Sequence, residues 1–473
     1  MKKIGLFLII TLLISACQPT QNQKAMPEPE RFSAMEEKQL TFDKSGHFLH
    51  TTQQFSPDDQ WIVYDTRNED SQIGRTCCIE MVNTVTGKIR RLYQTDNQTI
   101  FGPGVGGVTF NPQDHQVLFI HGLRNCDESN PYDFSRRTGV MIQTEAPQQP
   151  IFMDARDITP PFTPGALRGG THAHTWSADG QWVSFTYNDE VMNQLAQKPN
   201  SPVQDLRMVG VMAPYGPVKV AGADEAENFG GQLYSAVVTK VVENPTPGSD
   251  EIDRAYEDGW IGTNGYLKPD GSRQERAIAF LGDTRTESGE TLTEVFVVDV
   301  PNDITSSNAN TPIQGTETTR PMPPAGTQQR RLTFTQDRKY PGVQGPRHWL
   351  RSAPDGSLIY FMMKDDRGIF QIYGISPNGG TPQQITQNDF SITSSFNVSR
   401  DGKWLVYGVD NDVFVTHIAT KSTKQVSPKA SKQVSKLQGV NFSNDGKKIV
   451  YNRKVVQGDS SFYQIFLLVP TEN

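Results

Sequence analysis

The chain has 473 residues, of which 35% are hydrophobic and 21% charged, with 40 Gly, 31 Pro and 4 Cys. That apolar content can bury a sizeable core, which excludes disorder, collagen and a cysteine-stapled mini-protein. A formal charge of −7 offers no basic footprint, so nucleic acid is not expected as a partner.

At the N-terminus, Lys2 and Lys3 precede an uncharged run from Ile4 to Ile14, followed by Ser15, Ala16 and Cys17. This is the layout of a secretory leader, too short to span a bilayer, with small residues at its cleavage site. Ile14-Ser15-Ala16-Cys17 resembles a bacterial lipobox, which implies a lipoprotein signal peptide over residues 1–16 and acylation, palmitate included, at Cys17. Gln18, in place of Asp, points by resemblance to outer-membrane sorting, with the body facing the periplasm. Residues 17–37 are rich in Gln, Pro, Glu and Asn without apolar period and read as a flexible tether. No later segment approaches spanning length, so residues 38–473 are expected to be a body held to the membrane by lipid. In an oxidising compartment Cys77, Cys78 and Cys126 would give one disulfide and one spare thiol, with the pairing left open.

Internal repetition decides the fold class. Phe55-Ser56-Pro57-Asp58-Asp59-Gln60-Trp61-Ile62-Val63-Tyr64 recurs in segments starting at Trp176, Val398 and Phe442, with weaker copies at Phe110 and Ser352. Each copy reads as a strand, a tight turn tolerant of positive φ, and a β-branched or aromatic return strand. A degenerate copy around Lys268-Pro269-Asp270-Gly271 makes seven. A third strand and a short segment such as Arg330-Arg331-Leu332-Thr333 complete each unit. Four strands per unit in radial repetition predict an all-β, seven-bladed β-propeller. The last unit ends without its fourth strand, and Lys38-Gln39-Leu40-Thr41 has the missing form. The N-terminal strand is therefore expected to close the ring. Surplus length falls in insertions at 144–170, 188–202, 215–231, 243–265 and 306–329, the last expected to be loose. Ser249 to Tyr256 reads as a short capped helix with acids in its first turn.

The Ser-Pro-Asp-Gly hairpin with its Arg-Arg-Leu-Thr strand resembles TolB-type (PD40) propeller repeats. Longer stretches carry a closer likeness. They are Pro131-Tyr132-Asp133-Phe134 with Arg136-Arg137, Thr163 through Gly170, Phe185-Thr186-Tyr187-Asn188-Asp189, Gly248 through Ile252, Gly315 through Thr319, and Pro346-Arg347-His348-Trp349. These resemble the uncharacterised bacterial TolB-like propeller family that includes YidR, from about Lys38 to the C-terminus. The resemblance implies a propeller and brings neither an established activity nor assigned catalytic residues.

Candidate chemistry comes from the inner strands, which line the axis. Four residues before each hairpin copy stand Thr51, Gly106, His172, His348, Ser394 and Gln438, with His174 two residues beyond His172 and His50 one step earlier in its blade. By the period of two, His172 and His174 share a face. With His348 they could ligate a divalent metal, or simply bond backbone. Propeller lyases that cleave oligogalacturonates with a funnel metal offer an analogy of fold alone. Arg124, Asp133, Arg136, Arg137 and Arg168, in the insertions of units two and three, suit an anionic carbohydrate or carboxylate, or pair with one another. No Gly-x-Ser-x-Gly elbow is present, and the blades leave no room for a hydrolase domain. Two functions follow: an envelope propeller that binds a ligand or protein partner, or a metal-dependent enzyme with a His-lined funnel, for instance a lyase on acidic oligosaccharides.

Overall fold

A computed structural model describes residues 31–224, 226–309, 311–429 and 437–471, so the expected leader and Cys17 lie outside the described residues. The chain forms a seven-bladed β-propeller. Blade one pairs Trp61–Asp65, Cys78–Asn83 and Ile89–Gln94, its inner edge reduced to bridges from Phe48 to Asp65 and from Phe55 to Ile62. Blades two to four open with the inner strands Val105–Phe110, Gly169–Trp176 and Arg254–Trp260, and blades five to seven with Arg351–Ser352, Phe396–Val398 and Gln438–Phe442. The second strands, such as Val183–Asp189, are buried on both faces, because each blade packs its sides against two neighbours.

The repeated Ser-x-Asp has a local cause. In four hairpins the serine hydroxyl donates to the aspartate two residues on, at 2.5 Å in Ser56, Ser177 and Ser399 and 2.6 Å in Ser443. The same oxygen accepts the amide of the returning strand, from Trp61, Trp182, Trp404 and Lys448. Gly180, Gly402 and Gly446 supply the positive φ that this turn needs.

The ring closes as the repeat pattern predicts. Met35–Gln39 pairs antiparallel with Ser460–Pro470, from Met35 opposite Pro470 to Gln39 opposite Phe466. The propeller begins earlier than the tether boundary at 37, however. Phe32 is buried against Trp404 and Phe442, and Arg31 pairs with Asp401 at 2.6 Å, so apolar burial and charge pairing hold residues that composition alone marks as unstructured.

Two further expectations are corrected. Residues 249–256 form no helix: Arg254–Trp260 is the inner strand of blade four, paired with Ala277–Arg285. The supposed capping groups make a turn instead, with Glu251 accepting from Thr246 N and Oγ1 and Ser249 donating to the Thr246 carbonyl. The 306–329 segment is anchored: Ile313 is buried, and Arg168 donates to the carbonyls of Thr316 and Thr319.

Candidate anion-binding site

The inner strands carry a bulge that sets the axial surface. Register shifts follow Gly106, His172, Tyr256 and Gln438, and the next residue in each case has positive φ: Gly107 (66°), Ala173 (56°), Glu257 (54°) and Gly439 (63°). An extra residue in left-handed conformation breaks the period of two. His172 and His174 therefore do not share a face.

His174 Nε2 bonds the Thr171 hydroxyl at 2.9 Å and lies beneath blade two, where a Cβ on Gly139 would meet it at 2.9 Å. His348 uses both nitrogens structurally: Nδ1 donates to the Pro346 carbonyl at 2.8 Å, and Nε2 accepts the Met362 amide at 3.1 Å. Only His172 of the three expected ligands lines the axial cavity, and neither of its ring nitrogens has a partner among the described residues. Among the described residues no three His, Cys, Asp or Glu side chains are grouped to hold a metal ion. The His172, His174 and His348 set is thus not assembled.

The axis is plugged midway. Arg351 donates to the Thr51 carbonyl at 2.9 Å and to Asn397 Oδ1 at 2.6 Å, while Gln53 bridges to the Trp176 backbone. Above the plug, at the upstream ends of the inner strands, lies a cavity of about 650 Å³ whose polar and aromatic lining comprises His50, Arg67, Glu69, Asp70, Tyr132, Asp133, Phe134, Arg137, His172, Arg207, Arg347 and Trp349. Below it, the downstream ends surround a separate cavity of about 450 Å³.

Charge in the upper cavity is arranged in two tiers. Arg67 is neutralised by Asp65, through Nε at 2.6 Å and Nη2 at 2.9 Å, and Asp65 also caps the Gly107 amide. Arg347 donates to Asp70 at 2.8 Å and to Glu257 at 2.7 Å. Among the described residues Arg137 and Arg207 have no carboxylate partner. Their guanidinium carbons lie 4.2 and 4.9 Å from the Phe134 ring centroid, and Arg137 also stacks on Tyr132 at 4.6 Å. Arg207 Nε bonds Asn188 Oδ1 at 3.2 Å. Burial, then the neighbouring Arg254, Arg137 and Arg347, push Arg207 down to about 10, and burial lowers Arg137 as well. Both remain cations near neutral pH. Burial, followed by Arg67, holds His50 down to about 3, and burial with Arg207 and Arg137 keeps His172 neutral.

The remaining expected ligand residues are engaged elsewhere. Arg136 pairs with Glu227 and Asn125, Arg168 with Asp189 at 2.9 Å, and Arg124 covers the Phe152 ring at 4.8 Å. Arg207, Arg67 and Arg347 complete the site without having been singled out for it. The signal for Arg347, Tyr132 and Phe134 was present in Pro131-Tyr132-Asp133-Phe134 and Pro346-Arg347-His348-Trp349, two non-repetitive stretches that meet at this cavity. Cys77 and Cys78 form the bridge, and Cys126 is the free thiol among the described residues.

Fold and site together define a closed seven-bladed propeller with an arginine-lined blind cavity at one end of its axis. Residues 104–228 match the family described as Protein of unknown function (DUF3748). The chain is 42% identical over 418 residues to the uncharacterized protein YidR of Escherichia coli (strain K12), covering 88% of this chain and 94% of that one. It belongs to that family of uncharacterised proteins. Among solved structures, oligogalacturonate lyase from Vibrio parahaemolyticus is similar at TM-score 0.52 and 9% identity, over 93% of this chain and 98% of that one. A putative TolB from Agrobacterium tumefaciens is similar at TM-score 0.39 and 14% identity, over 84% and 98%. The lyase likeness shows the fold alone.

Proposed function

We propose that the protein is a lipid-tethered envelope propeller whose upper axial cavity binds a small carboxylate-bearing ligand, with Arg137 and Arg207 as its anion-binding forks. The observation that carries the reading is the pair of cations without carboxylate partners, both lining one cavity and braced by one aromatic ring. A planar guanidinium matches a carboxylate bidentately, and burial strengthens the contact. Unpartnered polar atoms around the same space, on His172, His50, Tyr132 and Trp349, supply neutral groups for ligand hydroxyls.

Isothermal titration with sodium glucuronate tests the site. Arg137→Ala or Arg207→Ala is expected to weaken binding by roughly 10- to 100-fold, the range for a charge-assisted hydrogen bond. Glucose, which lacks the charge, is expected not to compete. Unchanged affinity in both variants would refute the assignment. The tether rests on Ile14-Ser15-Ala16-Cys17. Labelled palmitate is expected to enter the wild-type chain in cells and not Cys17→Ser, and equal labelling would remove the anchor from the account.

A further inference from the structure

Beside the arginine-lined cavity lies a second chamber of about 290 Å³, lined by Thr393, Ser394 and Ser395 of blade six, Gln438 of blade seven, and Tyr463. The two share His50, Asp70, Arg347 and Trp349. Between them runs the Arg347–Asp70 ion pair at 2.8 Å, each side chain more than half exposed (53% and 58%). An exposed pair of this kind opens at little cost. Arg347 also stacks on Trp349 at 4.5 Å and remains held by Glu257.

The chemistry of the chambers differs. The first carries Arg137 and Arg207, whereas among the described residues the second has no charged lining residue besides the shared Arg347 and Asp70. Its wall contains buried polar atoms without partners, Gln438 Nε2, Thr51 Oγ1, His50 Nε2 and Trp349 Nε1. Buried polar groups without partners are rare in native proteins; here Gln438 and Thr51 belong to the second chamber alone, and His50 and Trp349 stand at its join with the first. They comprise amide, hydroxyl, imidazole and indole groups, which suit ligand hydroxyls rather than a second charge.

We infer that the two chambers are subsites of one extended site for a saccharide of at least two rings, an acidic ring in the arginine chamber and an uncharged, hydroxyl-rich ring in the Gln438 chamber. The Arg347–Asp70 pair is a strap across the join, displaced when the longer ligand binds. The inference rests on the anion-binding reading above and extends it to the ligand's length and its neutral half.

Titration of the full chain with glucuronate, cellobiouronic acid (glucuronate joined to glucose) and cellobiose tests it. The acidic disaccharide is expected to bind about tenfold more tightly than glucuronate, the gain from one or two added neutral hydrogen bonds. Gln438→Leu is expected to erase that gain while leaving glucuronate affinity at the wild-type value. Equal affinity for glucuronate and the disaccharide in the wild type would overturn the second subsite even if the variant fails to fold. So would a Gln438→Leu protein weakened alike for both ligands, or a gain obtained with an acetylated dipeptide acid and not with the disaccharide. Failure of glucuronate itself to bind would instead sink the anion site, and with it this extension.

Discussion

The guanidinium of Arg137 lies 4.2 Å from the centroid of Phe134, a ring that is itself 46% exposed. Arg207 lies 4.9 Å from the same centroid, so one aromatic ring braces both candidate anion forks. Phe134→Ala is expected to release both side chains and weaken glucuronate binding by about 5- to 30-fold, corresponding to about one to two cation–π contacts. Because the ring is half-exposed, the melting temperature should move little. Calorimetry and a thermal melt on the same sample separate the effects. Full affinity in the variant would show that the ring does not position the arginines.

Closure of the ring concentrates polar contacts on Glu37. Its carboxylate accepts from Arg453 Nη1 at 3.0 Å and from the Tyr451 hydroxyl, while Arg453 is buried against Phe466. Glu37→Ala leaves that cation without its carboxylate, and since Glu37 is partly exposed the cost should be about 1–3 kcal/mol, below that of a fully buried pair. Removing residues 35–41 also strips the strand that covers Ser460–Pro470 and should abolish cooperative melting. Urea unfolding of both variants measures this, and a deletion that melts cooperatively at the wild-type temperature contradicts it.

Much of this architecture is legible in the chain because the hairpin is stabilised locally. Ser56, Asp58 and their counterparts make the turn by themselves, so sequence spacing reports it faithfully. Blade four is illegible for the converse reason: Glu251 and Ser249 bond within one turn, and what makes 254–260 a strand is pairing with the distant strand Ala277–Arg285, from Trp260 opposite Ile278 to Arg254 opposite Asp283. The histidine alignment fails at one residue. Ala173 adopts φ 56°, a bulge that no periodicity reveals, and it separates His172 from His174. Arg207 and Arg137 meet only through the ring topology, so their partnership has no sequence signal.

Buried histidines should make the fold acid-labile. Burial pushes His50 and His174 down to about 3 and His121 and His348 to about 4, below the ordinary value of 6.5. A group lowered on folding stabilises the native state above its unfolded value and loses that contribution as pH falls through its folded value. Asp154, Asp258, Asp205 and Glu257 oppose this: burial raises all four, Asp154 to about 6 and Asp258 to about 7, so their contribution grows as pH falls toward 4. With His172, also lowered by burial, five histidines stand against four carboxylates, so stability should decline from pH 6.5 to 4.5, read as a falling melting temperature. His174→Gln should flatten the slope, and an unchanged slope would contradict the assignment.

The Cys77–Cys78 bridge joins neighbours in sequence. Trypsin acting after Arg75 and Lys88 releases both on one peptide. Without reduction, that peptide should be two hydrogens lighter than its dithiol form and refuse alkylation, while Cys126 accepts the label in denaturant. Alkylation of Cys77 and Cys78 in the unreduced protein, or a crosslink to Cys126, would contradict the pairing.

A crystal structure grown with glucuronate tests the central claim most directly. The account predicts a carboxylate within hydrogen-bonding distance of the guanidinium groups of both Arg137 and Arg207, above the Arg351 plug. Glucuronate bound only in the cavity at the opposite end of the axis, or an upper cavity holding solvent alone at saturating ligand, would contradict it.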